Sequence, residues 1–200
     1  MKRCRAIWRK RSLPRRRAGN KPVSLQGRDR RRYTCGVLTL SDKGARGERE
    51  DTSGVMLCEL LRVEGFEPVA YEIIADRREL IVRTLVSWVD EKGIDLIITT
   101  GGTGVAPTDV TPEATLEVVG KLVPGIAEAM RQASLQKTVN AMLSRGVAGI
   151  RGQSLIINLP GSRKAAGENI AVVLPVLQHA LYKLQGGTAD CGGVPPPAGR

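Results

Sequence analysis

The chain has 200 residues, 42% of them hydrophobic, which suits one globular domain with extended ends and leaves too little for a second enzyme-sized domain. Its formal net charge of +11 is unevenly placed: 14 of the 31 Lys and Arg, but one of the 20 Asp and Glu, lie in residues 1–32, so 17 bases face 19 acids in the rest. The body is slightly acidic, which argues against nucleic-acid binding there, and no apolar stretch reaches the roughly 18 residues that a membrane span needs.

Residues 1–32 carry the runs Arg15-Arg16-Arg17 and Arg30-Arg31-Arg32 and lack the apolar periodicity that buries a face, so they are expected to form a disordered basic extension. A solvated tail, an electrostatic tether to nucleic acid or anionic lipid, and an organelle transit peptide are the competing readings of it. No apolar signal core follows the basic start, and the expected setting is the cytoplasm.

From residue 33 the chain alternates β-branched runs with helical stretches, the pattern of a parallel sheet built from crossover units. Thr34–Leu40 reads as the first strand, and a glycine-bearing loop then runs to about Thr52, where Val55, Leu57, Leu60, Leu61 and Val63 recur at helical spacing up to Gly65. Val69–Ile74 predicts a second strand, Ile81, Leu85, Trp88 and Val89 a helix ending at Gly93, and Leu96–Thr99 a third strand. After Gly101–Gly104, Pro112 suits the first turn of a short helix, and Pro124-Gly125 precedes another that carries Ile126, Met130 and Ala133. Residues 147–151 and 154–158 are separated only by Gly152-Gln153, which predicts a tight antiparallel hairpin. The last helix shows Ile170, Val173, Leu174, Leu177, Leu181 and Leu184 on one stripe, and Pro175 inside it is expected to kink or divide it. The expected fold is a three-layer α/β/α domain over 33–187. Its sheet is mostly parallel and Rossmann-like, with one antiparallel hairpin strand, and residues 188–200 form a flexible tail.

Cys4, Cys35, Cys58 and Cys191 lack C-x-x-C spacing and are read as reduced, inert thiols. His179, the single histidine, falls on the last helix with no nucleophile turn near it, so triad-type hydrolysis is excluded. Polar residues instead gather where strands end, the place where open α/β sheets bind ligands. These are Ser41-Asp42, Asp76, Thr99-Thr100-Gly101-Gly102-Thr103-Gly104 and Asn158-Leu159-Pro160-Gly161-Ser162.

The glycine turn allows backbone amides to approach a phosphate, with Thr100, Thr103 and Thr111 as further donors, although a purely structural turn reads the same way. Asp109 stands near a helix start, and Asp76 precedes another. Each is either a helix cap or a ligand of a magnesium ion that screens a triphosphate. The turn at 158–164, with Ser162 and Lys164, is either a second anion site or a plain strand-to-helix connection.

In order and spacing, several segments resemble the molybdopterin adenylyltransferases of the MogA/MoaB type, with the gephyrin G domain as their eukaryotic form. They are Leu40-Ser41-Asp42, Asp51-Thr52-Ser53-Gly54, Asp76, Thr99–Gly104, Asp109–Ala114, Ser144-Arg145 and Asn158–Ser162. The likeness runs from about residue 34 to 187. It implies a homotrimer, with a hexamer as the alternative, that joins molybdopterin to the adenylyl group of MgATP and releases pyrophosphate. Asp76 and Asp109 match the two catalytic aspartates and are the expected magnesium ligands. Thr99 to Gly104, Thr111, Glu113, Asn158, Pro160, Gly161, Ser162 and Lys164 match the pterin and nucleotide pocket, and Ser41, Asp42, Asp51 and Gly54 match the nucleotide side. The alternative is a non-catalytic molybdopterin-binding paralogue. The chain departs from the family in its basic extension and in Arg163, where the family often has proline.

Overall fold

The computed structural model describes residues 32–188; the extension up to residue 31, the tail from 189, and Cys4 and Cys191 with them, lie outside those residues. Six strands form one sheet: β1 (Thr34–Leu40), β2 (Glu67–Ile74), β3 (Leu96–Thr100), β4 (Lys121–Leu122), β5 (Ala148–Arg151) and β6 (Ser154–Leu159), in the order β2-β1-β3-β6-β5-β4. The first four in that order are mutually parallel, whereas β5 runs antiparallel to β6 and β4 antiparallel to β5. This is the expected mostly parallel sheet with its hairpin. Gly152, at φ 56°, makes the left-handed turn between Arg151 and Ser154 that the Gly-Gln link predicts. The two-residue β4 is too short to carry any period and has no signal in the sequence.

Beside the sheet lie α1 (Asp42–Ala45), α2 (Thr52–Val63), α3 (Arg78–Val86), α4 (Thr111–Val118), α5 (Pro124–Leu135) and α6 (Arg163–Leu184). Alternation along the strands sorts the core into two layers. Cys35 and Val37 of β1 pack with Leu57 and Leu61 of α2, Met130 of α5 and Ile170, Val173 and Leu177 of α6. On the other face Leu38 and Leu40 meet Ile81, Leu85 and Trp88 beside α3, and Ala114 and Val118 of α4. Each such side chain contributes about 1.5–3 kcal/mol when fully buried, so the central strands, covered on both faces, anchor the domain.

Besides β4, and α1 within the stretch read as a loop, two details differ from expectation. The helix carrying Trp88 ends as α-helix at Val86 and continues as a π turn over Ser87–Glu91, which keeps Trp88 and Val89 both buried. Gly36 makes room for that indole, since a Cβ there would stand 2.7 Å from the ring. Pro175 does not divide α6, which runs unbroken for 22 residues. Pro175 and Ala171, whose carbonyl loses its helical donor, are both exposed, so water can serve that carbonyl while the buried stripe holds the helix together.

The register pairs Leu40 with Ile74, Thr39 with Thr100, and Thr100 with Leu159. Four strand ends therefore finish on one line, and the loops after β1, β2, β3 and β6 converge there.

Candidate active site

β3 runs directly into Gly101 and Gly102, at φ 106° and 62°. Neither position admits a side chain. A Cβ on Gly101 would lie 2.3 Å from the Leu40 carbonyl oxygen, and one on Gly102 would lie 2.3 Å from Thr111 Oγ1. Asp76 Oδ1 stands 3.2 Å from that imagined Gly102 Cβ, and Asp109 Oδ2 stands 2.8 Å from the corresponding point on Gly104. The two carboxylates thus border one short glycine turn, over its second and fourth residues.

Neither carboxylate caps a helix. Arg77 precedes α3 and Val110 precedes α4, both without a side-chain capping bond. The carboxylate of Asp76 instead accepts from the Asp42 N–H at 3.0 Å, while the Asp76 N–H donates to Asp42 Oδ1 at 3.1 Å, a reciprocal pair that ties the loops after β1 and β2. Asp109 Oδ2 accepts from the Ala106 N–H at 2.9 Å. Burial pushes the Asp76 carboxyl above the ordinary aspartate range; the Asp42 N–H opposes this, and the charges of Asp42 and Asp109 add to it. Such a crowding of negative charge favours a bound cation.

Asp51 is employed differently. Its Oδ1 accepts from the N–H groups of Ser53 (3.1 Å) and Gly54 (2.8 Å), capping α2, while Oδ2 accepts from the Thr39 hydroxyl and from Tyr71 OH (2.8 Å). Gly54 is confined against this node, because a Cβ there would lie 2.3 Å from Asp51 Oδ2. Ser41 and Ser162 are also caps: Ser41 Oγ accepts from Gly44 N–H at 3.1 Å, and Ser162 Oγ from Ala165 N–H at 3.2 Å. The starts of α2 and α6 are joined where Ser53 Oγ donates to the Gly161 carbonyl at 2.9 Å. Gly161, Ser162 and Lys164 are exposed at the start of α6, and Pro160 is half-buried.

Beneath the glycine turn two of the three expected hydroxyl donors, Thr100 and Thr111, are already engaged, and the third, Thr103, is buried. Thr99, Thr100, Thr111 and Asn158 are buried. Thr100 Oγ1 donates to the Pro160 carbonyl at 2.7 Å and Thr111 Oγ1 to the Gly101 carbonyl at 3.0 Å. Asn158 Nδ2 donates to both Thr99 and Thr115 Oγ1 at 2.9 Å, and its Oδ1 accepts from Val147 N–H at 3.2 Å. Of the expected residues these four brace the turn, whereas Asp42, Asp76, Gly102, Gly104 and Asp109 border the crevice.

A cavity of about 430 Å³ opens beside Asp109, lined also by Glu113, Arg145 and the 105–107 loop. Glu113 bonds Arg145 through Oε1, and its buried Oε2 has no hydrogen-bond partner. Thr39, Tyr71 and Thr115 are absent from the expected site although they hold its parts, and a polar Thr39 within an apolar strand was the available hint of the first. His179 lies on α6 about 25 Å along the axis from Ser162, at 1.5 Å per residue, outside the site. Cys35 and Cys58 are buried thiols, and burial pushes Cys35 far above the ordinary range.

An open α/β sheet whose glycine turn and helix starts gather at its strand ends belongs to the class of folds that bind phosphorylated ligands at that edge. A family model described as "Probable molybdopterin binding domain" matches residues 36–179. A molybdopterin adenylyltransferase of Helicobacter pylori strain J99 is 45% identical over 153 residues, covering 76% of this chain and 87% of the relative. That of Escherichia coli K12 is 42% identical over 153 residues, covering 74% and 78%. Among solved structures, the molybdopterin biosynthesis enzyme MoaB from Thermus thermophilus aligns with TM-score 0.73 and 53% identity, over 77% of this chain and 97% of that one. The chain belongs to the molybdopterin adenylyltransferase family of the MogA/MoaB type. Among the described residues no helix is long and apolar enough to cross a membrane.

Proposed function

We propose that this protein adenylylates molybdopterin during molybdenum-cofactor biosynthesis. A terminal phosphate oxygen of the pterin attacks the α-phosphorus of ATP, a new P–O bond forms, the bond from that phosphorus to the bridging oxygen breaks, and pyrophosphate leaves with the electron pair. The observation that carries this reading is the pair of aspartates, Asp76 and Asp109, bordering one glycine turn without capping any helix. The glycine turn and the exposed start of α6 offer amides to phosphates at two separated points.

Magnesium fits this donor set. The acidic side chains around the turn, Asp42, Asp76 and Asp109, offer hard carboxylate oxygens, and the charges on Asp42 and Asp109 raise the cost of ionising Asp76. Among the described residues no three His, Cys, Asp or Glu side chains converge to hold an ion unaided, which suits a cation that arrives with triphosphate oxygens. Bound there by Asp76 and Asp109, it supplies charge neutralisation for the triphosphate. The protein's own groups orient and position: the Asp42 N–H fixes Asp76, Ala106 N–H fixes Asp109, and Glu113 lines the cavity beside Asp109.

The active form on this reading is a homotrimer, with a hexamer as the alternative, in the cytoplasm. Val139, Met142 and Leu143, 72%, 69% and 51% exposed on one 3-10 turn, offer apolar surface for subunit contact. Purified protein incubated with molybdopterin and MgATP is expected to yield adenylylated pterin and pyrophosphate. Binding of the pterin without product would identify the non-catalytic paralogue instead.

A further inference from the structure

Arg145 follows the 3-10 turn Val139–Leu143 and makes four hydrogen bonds, two to the ends of the loop that carries Asp109 and two to the residues flanking it. Its backbone N–H donates to the Thr103 carbonyl at 2.9 Å and its Nε to the Gly104 carbonyl at 2.6 Å. One terminal nitrogen donates to the Glu113 carboxylate and the other to the Asp109 carbonyl. A single planar guanidinium therefore holds both ends of the 104–109 loop, whose intervening residues 105–108 are exposed. Inside that loop Asp109 N–H donates to the Ala106 carbonyl at 2.9 Å, and Ala106 N–H returns a bond to Asp109 Oδ2.

We propose that Arg145 is the positioning residue for Asp109: by closing the loop across its mouth it sets where the Asp109 carboxylate points over the glycine turn. The inference rests on the reading of Asp109 given above. The ion pair with Glu113 is too exposed to explain the arrangement energetically, with the two side chains 37% and 41% accessible. Geometry explains it. Three acceptors at fixed angles match the guanidinium fork, whereas a lysine ammonium offers a point charge that cannot span them.

The test uses full-length protein and the variants Arg145→Ala, Arg145→Lys, Asp109→Asn and the Ala/Asn double. Without nucleotide, amide hydrogen exchange over 103–110 should quicken about tenfold in both Arg145 variants while β3 and β6 stay protected. In the adenylylation assay kcat should fall about 100-fold in both, with KM for molybdopterin within about twofold, and the double variant should be no slower than Asp109→Asn alone within about threefold. If Arg145→Ala does not fold, Arg145→Lys carries the same cycle. Unchanged exchange over 103–110, losses that multiply in the double variant, or full recovery with lysine would each overturn the positioning role while leaving the adenylylation reading intact. A wild-type rate in Asp109→Asn would overturn both.

Discussion

Asp51 and the Asp76–Asp109 pair stand at the same edge of the sheet, yet their carboxylates are engaged to different degrees. Asp51 accepts four hydrogen bonds, two from the backbone at the start of α2 and two from the hydroxyls of Thr39 and Tyr71. Asp76 accepts one from the Asp42 N–H, and Asp109 one from the Ala106 N–H. A carboxylate whose lone pairs are all taken holds structure together; one with lone pairs left over, at the mouth of a crevice, can take a cation or a ligand donor. Residue type and location on the sheet do not separate the two cases, but the accepted bonds do.

Substitution should therefore affect the two regions oppositely. The largest effect is expected for Asp76→Asn and Asp109→Asn, each slowing adenylylation by about 10³-fold while the melting temperature holds; a stable variant with the wild-type rate would place the chemistry elsewhere. Next comes Asp51→Ala, expected to lower stability in urea by about 3 kcal/mol, because it removes a cap and strands two hydroxyls. Asp51→Asn should lose less than half as much, since the Thr39 and Tyr71 hydroxyls can turn to accept from the new amide. Equal losses in the two variants would show that charge at Asp51, not acceptor count, matters. Ser162→Ala tests a simple cap and should cost about 1 kcal/mol.

The smallest effect is a pH dependence. Asp76 holds its proton more tightly in the folded than in the unfolded chain, so its contribution to stability is greatest below the ordinary aspartate range and declines as pH rises through its raised folded value. In magnesium-free protein, the stability of the wild type relative to Asp76→Asn should therefore slope downward with pH over that window. An upward slope would mean that the ionised carboxylate is the favoured form in the fold.

Much of the architecture could be read along the chain, because it depends on local pattern. The apolar runs of β1 and β3, the Gly-Gln hairpin and the helix starts at Thr52 and just before Pro112 each follow from spacing within a few residues. Where the reading fell short, the deciding influence was packing: the π turn that keeps both Trp88 and Val89 buried, and α6 continuing past an exposed Pro175. At the site, the glycine turn and Asp76 were visible as polar residues at strand ends, and Asp109 as an acid near a helix start. The buried roles of Thr99, Thr100, Thr111 and Asn158 were not, since a threonine facing a crevice and one bracing its floor look alike in a sequence.

Periodicity and the placement of glycine and acid at strand ends specify the sheet and the edge at which the candidate site lies, because both arise from steric rules acting over a few residues. Which acid braces and which is left available depends on partners that are near only after folding. Thr39 and Tyr71 reach Asp51 from 12 and 20 residues away, and Arg145 reaches the Asp109 carbonyl from 36. A hydrogen bond is made by distance and angle in space, and those are set by how the layers pack.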